Sequence, residues 1–391
     1  MKLVVIGLGQ CGGRIADEFA KLNRRATSQR RIEIVAGTFA VNTDAADLSG
    51  LTAIKHDYQH RILIGGRKTG GHGVGKINEL GAEVARDDAD KVIDAIRVTK
   101  RFYETDAFLL IASAGGGTGS GSLPVMMQHI KERYRDKPVY ACIVLPFEHE
   151  EQTEERTTYN TATCLKSTYS VADAVFLVDN QRYIRKDDSL RNNLTKINAL
   201  IAEPFYGMLC AGEEKKSKYI GAKTLDSGDI MQTLVGWTVI GYGTSALPLF
   251  RFPGERTRDF RKKGSETQKG LQAMDAAISE LSLSCNPEDA RRALYLVSAP
   301  SREMNVDLIK ELGDYLRGIA PDAIIRNGDY PRQKGNLDVT VILSELSDVE
   351  KIRYYYTKST RLIPEVKKRQ EDTDSKLKAI DDSSKDIPSL L

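Results

Sequence analysis

Cysteine is sparse and unpatterned in this chain. The five residues Cys11, Cys142, Cys164, Cys210 and Cys285 are odd in number, scattered, and never in CxxC spacing. That argues against a disulfide framework or a zinc site and fits thiols in a reducing cytosol. Excess charge is missing too: 57 Lys and Arg oppose 54 Asp and Glu, a formal net of +3. Nothing global therefore points to nucleic acid or to an anionic membrane surface. No stretch approaches the roughly 20 apolar residues of a membrane span, and the opening run from Met1 to Ile6 is too short for a signal peptide. A cytoplasmic protein without a transmembrane segment is expected. Internal repeats are absent as well. What remains is an ordinary globular composition, 41% hydrophobic and 28% charged over 391 residues, long enough for two domains and a sizeable core.

Glycine, by contrast, is concentrated where it can do chemistry. Gly115-Gly116-Gly117-Thr118-Gly119-Ser120-Gly121 packs five glycines into seven residues. An apolar run, Ala107 to Ala112, precedes it and reads as a buried strand. Leu123, Met126, Met127, Ile130 and Tyr134 follow at helical spacing. A strand, a glycine loop and a helix start turn backbone N–H groups and a positive dipole end toward one point, with hydroxyls from Thr118, Ser120 and Ser122 beside them. That arrangement suits a phosphate chain. A second such unit opens the chain: strand Lys2 to Gly7, then Gly7-Leu8-Gly9-Gln10-Cys11-Gly12, then a helix from Gly13 to Asn23. A dinucleotide fold is its first rival. That fold wants an acid about 20 residues on, whereas the first acid past the strand Glu33 to Val41 is Asp44. A third stretch, Ile64 to Lys76, resembles a P-loop over Gly70 to Lys76, but Ile77 stands where Ser or Thr must hold magnesium. It follows no obvious strand and reads as a mobile loop over outer phosphates.

The rest of the chain alternates. Leu80 to Phe102 reads as a helix and Val139 to Leu145 as a strand. Glu148, Glu150, Glu151, Glu154 and Glu155 mark an acidic loop, followed by a helix from Thr157 to Ser170 and a strand from Ala174 to Val178 ending in Asp179-Asn180. Strands alternating with helices make a parallel sheet covered on both faces. A long helix from Leu190 to Leu209 follows, with Pro204 as a kink. Ile230 to Ile240 reads as a further helix, with Asp229 or Ser227 as its N-cap, so Asp226 and Asp229 are open to a capping role as well as a chemical one. Arg251 to Gly264 is read as an exposed basic loop. Beyond it, helices near Glu266 to Leu281, Pro287 to Arg292 and Asn305 to Arg317 combine with strands Ala293 to Ala299, Ala323 to Arg326 and Leu337 to Leu343 into a small α+β sandwich. After Arg361 the chain turns polar and reads as a fraying helix and tail.

Taken together, Gly9-Gln10-Cys11-Gly12, Asn42-Thr43-Asp44, the GGGTGSG stretch, Asp179-Asn180 and Thr224-Leu225-Asp226-Ser227-Gly228-Asp229 resemble the tubulin/FtsZ superfamily. The mixture of tubulin-like and FtsZ-like motifs, without tubulin's acidic tail or FtsZ's apolar docking peptide, most resembles its archaeal CetZ group. The resemblance implies an α/β fold: a Rossmann-like GTP-binding domain over 1–183, a central helix region over 184–222, a C-terminal α+β domain over 223–360 and a polar tail over 361–391. It also implies a cytoskeletal GTPase that polymerises head to tail and hydrolyses GTP between subunits, in cell shape or division. Phosphates would lie on Gly9, Gln10, Cys11, Gly12, Gly115, Gly116, Gly117, Thr118, Gly119 and Ser120. Asn42 and Asp44 would lie near phosphates and Mg2+, for which no protein ligand is assigned. Gly71 and Gly73 would close over the γ-phosphate. An acid of Glu151–Glu155 would take the ribose, with Glu154 preferred and Arg156 beside it. Asn180 and Asn198 would read guanine, though Leu194 stands in place of a stacking aromatic. Asp226 and Asp229 would act on the neighbouring subunit's GTP, with Thr224 in place of the family's leading Asn. Partners implied are further copies of the chain, other cytoskeletal proteins or a membrane adaptor. The alternatives are a NAD-type enzyme and a non-hydrolysing GTP-binding scaffold.

Overall fold

The computed structural model describes residues 1–184, 190–247, 260–333 and 335–362, with isolated positions 364, 375, 376 and 378. The first half runs β1 (Leu3–Leu8), α1 (Gly9–Arg30), β2 (Val35–Asn42), α2 (Ala45–Ser49), β3 (Arg61–Leu63), α3 (Gly66–Thr69), α4 (Asn78–Asp87), α5 (Ala89–Arg97), β4 (Ala107–Ser113), α6 (Thr118–Arg133), β5 (Val139–Leu145), α7 (Glu148–Thr153), α8 (Glu155–Tyr169) and β6 (Ala174–Asp179). The second half runs α9 (Leu190–Ala211), α10 (Ser227–Thr233), β7 (Gly236–Ser245), α11 (Phe260–Ser279), β8 (Arg292–Pro300), α12 (Val306–Ile319), β9 (Ile324–Arg332), β10 (Leu337–Ser344) and a helix α13 over 350–362.

Among the described residues the strands form one sheet in the order β3-β2-β1-β4-β5-β6-β7-β10-β8-β9. It is parallel from β3 through β7. It turns antiparallel on both sides of β10 and parallel again between β8 and β9. The C-terminal strands thus extend the first sheet through β7 instead of forming a separate sandwich. Alternation along the strands supplies two cores. Val4, Ile6, Phe108 and Leu110 face the side covered by α4, α5, α6 and α11, while Leu3, Val5, Leu109 and Ile111 face α1 and α9. Burial on both faces is why these strands read as continuous apolar runs. Phe205 of α9 anchors the second core, with ring centroids 5.3 Å from Phe19 of α1 and 5.0 Å from Phe176 of β6.

Several expectations are corrected. Residues 230 to 240 are not one helix: α10 ends at Thr233, and Gly236 at φ +58° opens β7. The run Trp237-Thr238-Val239-Ile240 is aromatic and β-branched, and it finds pairing partners in β6 and β10. The N-cap of α10 is Asp226, not Asp229 or Ser227. The third glycine stretch does follow a strand: β3 is three residues long and carries a charged Arg61, too short and polar to register as an apolar run. The helix expected over Leu80 to Phe102 is two helices, α4 and α5, and the acidic loop is mostly helix α7. The expected basic loop lies mostly outside the described residues, as does the tail.

Candidate functional site

Two helices start at the C-terminal ends of adjacent parallel strands, α1 directly after β1 and α6 after the glycine loop that follows β4. Neither N-terminus carries a side-chain cap, and neither first turn holds an acid. Their free N–H groups and positive dipole ends are therefore offered to the same space. The two starts touch: Gly9 takes φ +71°, and a Cβ there would stand 3.1 Å from the Gly119 nitrogen. Gly117 is required for a different reason. A Cβ on it would lie 2.8 Å from the Ile77 nitrogen and the Lys76 carbonyl carbon, so the end of the third glycine stretch rests directly on its backbone.

The cleft so formed has a volume of about 280 Å³. Its floor is Gly9, Gln10 and Cys11 from α1 and Gly115, Gly116, Gly117, Thr118 and Gly119 from the glycine loop. Its walls are Asn42, Asp44 and Asp47 on one side, Gly73 and Lys76 on another, and Glu150 and Thr157 on a third. Internal hydrogen bonds fix the polar wall. Asn42 Nδ2 donates to Asp47 Oδ2 at 3.1 Å, Gln10 Nε2 to Asp47 Oδ1 at 2.5 Å, and Asp44 caps α2 by accepting from the Asp47 N–H at 3.0 Å. The hydroxyls of Thr43 and Thr118 share a hydrogen bond of 2.6 Å, tying the end of β2 to the start of α6. Burial pushes the Cys11 thiol up to about 12, with the Glu150 charge adding to the effect, so Cys11 is a neutral group on the floor and no nucleophile.

Other sequence-predicted residues do not line this cleft. Gly12 is buried where α1 meets the β4 backbone, and a Cβ on it would stand 2.0 Å from the Ile111 oxygen. Ser120 turns its hydroxyl back to the Gly116 carbonyl. The Gly71 oxygen accepts from the Ala45 N–H at 3.0 Å. Asn180 follows β6 directly and Asn198 lies on α9, both buried. Glu154 is paired with Lys76 at 2.7 Å, and Arg156 Nε donates to the Lys76 carbonyl at 3.0 Å. The glutamate on the cleft wall is Glu150, one residue before the Glu151–Glu155 cluster from which the ribose contact is expected.

Asp226 and Asp229 lie toward the opposite end of the parallel strands. A Cβ on Gly212 would lie 3.5 Å from the Asp226 Cα and 3.6 Å from the Met1 nitrogen, so Asp226 neighbours the start of β1 while the cleft lies past its end. The intervening strand separates them by roughly 20 Å. The Asp226 carboxylate accepts from the Asp229 N–H at 2.8 Å, and Asp229 pairs with Arg326 at 3.3 Å.

The model of the tubulin/FtsZ family GTPase domain matches residues 2–187, and that of the tubulin-like CetZ C-terminal domain matches 187–360. Tubulin-like protein CetZ1 of Haloferax volcanii is 33% identical over 370 residues, 90% of each chain. The chain belongs to the tubulin-like CetZ family. CetZ of Thermococcus kodakarensis is 30% identical over 353 residues, covering 90% of this chain and 84% of its own. The solved GDP-bound CetZ1 monomer of H. volcanii matches with a TM-score of 0.79 at 30% identity, over 92% of this chain and 99% of its own. The GTPγS-bound protofilament of H. volcanii CetZ2 matches at 0.80 and 27%, over 94% and 100%. Within this CetZ chain, sequence reading missed Asp47, Lys76, Glu150 and Thr157. Asp47 and Thr157 are single polar residues without a motif, while Lys76 and Glu150 read only as members of the third glycine stretch and the acidic run and not as site residues.

Proposed function

We propose that this chain is an assembly-dependent GTPase. It binds GTP in the glycine-lined cleft, stacks head to tail into protofilaments, and hydrolyses GTP where one subunit meets the next. The observation that carries this reading is the sheet-length separation between the cleft and the Asp226–Asp229 pair. Carboxylates roughly 20 Å away cannot orient a water against a phosphate in the same chain. A second copy stacked in the same orientation brings its aspartates to the first copy's cleft, and a contact between unlike surfaces grows without closing. The GDP-bound and GTPγS-bound relatives, one of them a protofilament, support guanine nucleotide as ligand and self-association as outcome.

In this reading the α1 and α6 N-termini hold the phosphates, Gly71 and Gly73 close over the γ-phosphate, and Asn180 and Asn198 read the base. Glu150 lines the cleft and Glu154 does not, so Glu150 takes the ribose role. Among the described residues no group of three or more His, Cys, Asp or Glu could hold a metal ion. Mg2+ keeps several of its waters and takes phosphate oxygens, and Asp44 and Asp47 on the cleft wall are the carboxylates we assign to its neighbourhood. Bound there, the ion would neutralise phosphate charge. Asp226 and Asp229 of the neighbour orient the attacking water. The cellular setting we assign is the cytoplasm of an archaeal cell, in shape control or division.

The test is GTP turnover per protomer across protein concentrations, with magnesium, for the native chain and Asp226→Asn. Asn still caps α10, so this variant removes charge and little else. Turnover per protomer should climb above a threshold concentration. The variant should bind GTP, lose turnover about 100-fold or more, and keep its filaments. A flat rate per protomer, or normal turnover in the variant, refutes the reading. GTP binding without turnover at any concentration would instead favour the scaffold.

A further inference from the structure

One buried side chain joins the glycine loop to the third glycine stretch. Asn160 lies on α8 with no exposed surface. Its Nδ2 stands 2.9 Å from the Lys76 carbonyl, 3.2 Å from that of Gly116 and 3.3 Å from that of Gly115. Two amide hydrogens thus serve three acceptors. The flipped amide would set its oxygen against three carbonyl oxygens, so only this orientation attracts. Its Oδ1 is buried without a partner, an unmade hydrogen bond that the fold tolerates at this spot. Two further features act on the same point. Arg156 Nε donates to the Lys76 carbonyl at 3.0 Å, and Lys76 sits at φ +61°, a left-handed conformation that lysine rarely takes. Lys76 and Gly73 reach the cleft wall from a stretch whose far end is pinned here.

We propose that Asn160 is a positioning residue. It pins the end of the 64–76 stretch to the glycine loop and so makes the cleft discriminate nucleotides with a γ-phosphate from those without. This rests on the reading of the cleft as a GTP site. The phosphates nearest α1 and α6 are held by backbone N–H groups at the helix starts, whereas Asn160 meets the glycine loop only through the Gly115 and Gly116 carbonyls. The outermost phosphate depends on Gly71, Gly73 and Lys76, and these depend on the pin.

The test compares the full native chain with Asn160→Ala and Arg156→Gln. The Arg156 variant removes the second donor to Lys76 from a partly exposed position. Amide hydrogen exchange is followed without nucleotide, and affinities for fluorescent GTPγS and GDP analogues are titrated. Asn160→Ala should speed exchange across 70–77 while leaving β8 unchanged. It should weaken GTPγS about tenfold and GDP less than about threefold. Arg156→Gln should shift both readouts the same way by less, and it carries the test if Asn160→Ala does not fold. Unchanged exchange at 70–77 overturns the pin whatever the nucleotide does. Equal loss for both nucleotides overturns the discrimination and leaves only a structural role. A native chain that binds neither nucleotide refutes the GTP reading and, with it, the discrimination, while exchange still judges the pin by itself.

Discussion

Asp17 sits on the inward side of α1, buried, and gathers the backbone N–H groups of Thr52, Ala53 and Ile54 at 2.6 to 3.2 Å, with the Thr52 hydroxyl at 2.8 Å. Burial alone would raise its pKa. The bonds from Ile54, Thr52 and Ala53 outweigh burial and hold the carboxyl below its ordinary value. A depressed folded-state pKa means stabilisation that is complete above the unfolded value of about 3.9 and lost as pH falls through the folded one. Asp17→Asn, which keeps one acceptor oxygen but no charge, should therefore cost roughly 2 kcal/mol at pH 7. The gap to the native chain should close as pH drops below about 3.9, measured by urea unfolding at stepped pH. A gap independent of pH would show that the charge contributes nothing. Asp17 also marks where sequence reading stops. A glycine is legible because backbone approach demands it, as Gly9 and Gly117 do. An Asp or Asn whose partners lie 35 or 84 residues away, as for Asp17 with Thr52 and Asn160 with Lys76, leaves no local pattern.

Helix α13 acts on the N-terminal half from the far end of the chain. The side chain of Glu151 on α7 is 5% exposed and accepts from Tyr355 Oη at 2.5 Å, Tyr354 Oη at 3.2 Å and Lys358 Nζ at 3.4 Å. Lys351 reaches Asp179 at the end of β6 at 3.1 Å. Four α13 side chains thus hold the two segments that flank Asn180. Burial raises the Tyr355 pKa and the Glu151 hydrogen bond raises it further, so the phenol stays a donor at neutral pH. Tyr355→Phe should destabilise the chain by about 1–2 kcal/mol. Unfolding can be followed through Trp237, whose ring stacks on Tyr169 with centroids 4.3 Å apart. Exchange protection should fall first in α7, and an unchanged unfolding midpoint would show that Tyr354 and Lys358 suffice. Strands β1, β4, β5 and β6 and the glycine turns after β1 and β4 are legible because they are or follow apolar runs, while the short, charged β3 is not. Nor is the fate of 230 to 240. Ile230 and Leu234 fit a helix, and only the partners β6 and β10 decide for a strand after Gly236.

At the scale of the whole molecule, the separation of cleft and aspartates makes a prediction that no single chain can satisfy. Gly116 lines the cleft, and a Cβ there meets nothing within 4 Å, so Gly116→Asp fits the fold while setting a negative charge where phosphate would lie. This variant should bind no GTP yet keep a working Asp226. Asp226→Asn has the converse defect. Each alone should be inactive. Mixed in equal amounts, they should recover turnover wherever an Asp226→Asn cleft meets the aspartate edge of a Gly116→Asp chain, about a quarter of contacts in random copolymers. The measurement is phosphate release from the mixture against each variant alone at the same total concentration. Recovery requires the two halves of the site to come from different subunits. Activity in either variant alone would mean a site complete within one chain. A mixture as inactive as its parts would mean either that the aspartates do not serve a neighbour's cleft or that the charged cleft no longer stacks, and co-sedimentation of the two variants separates those outcomes.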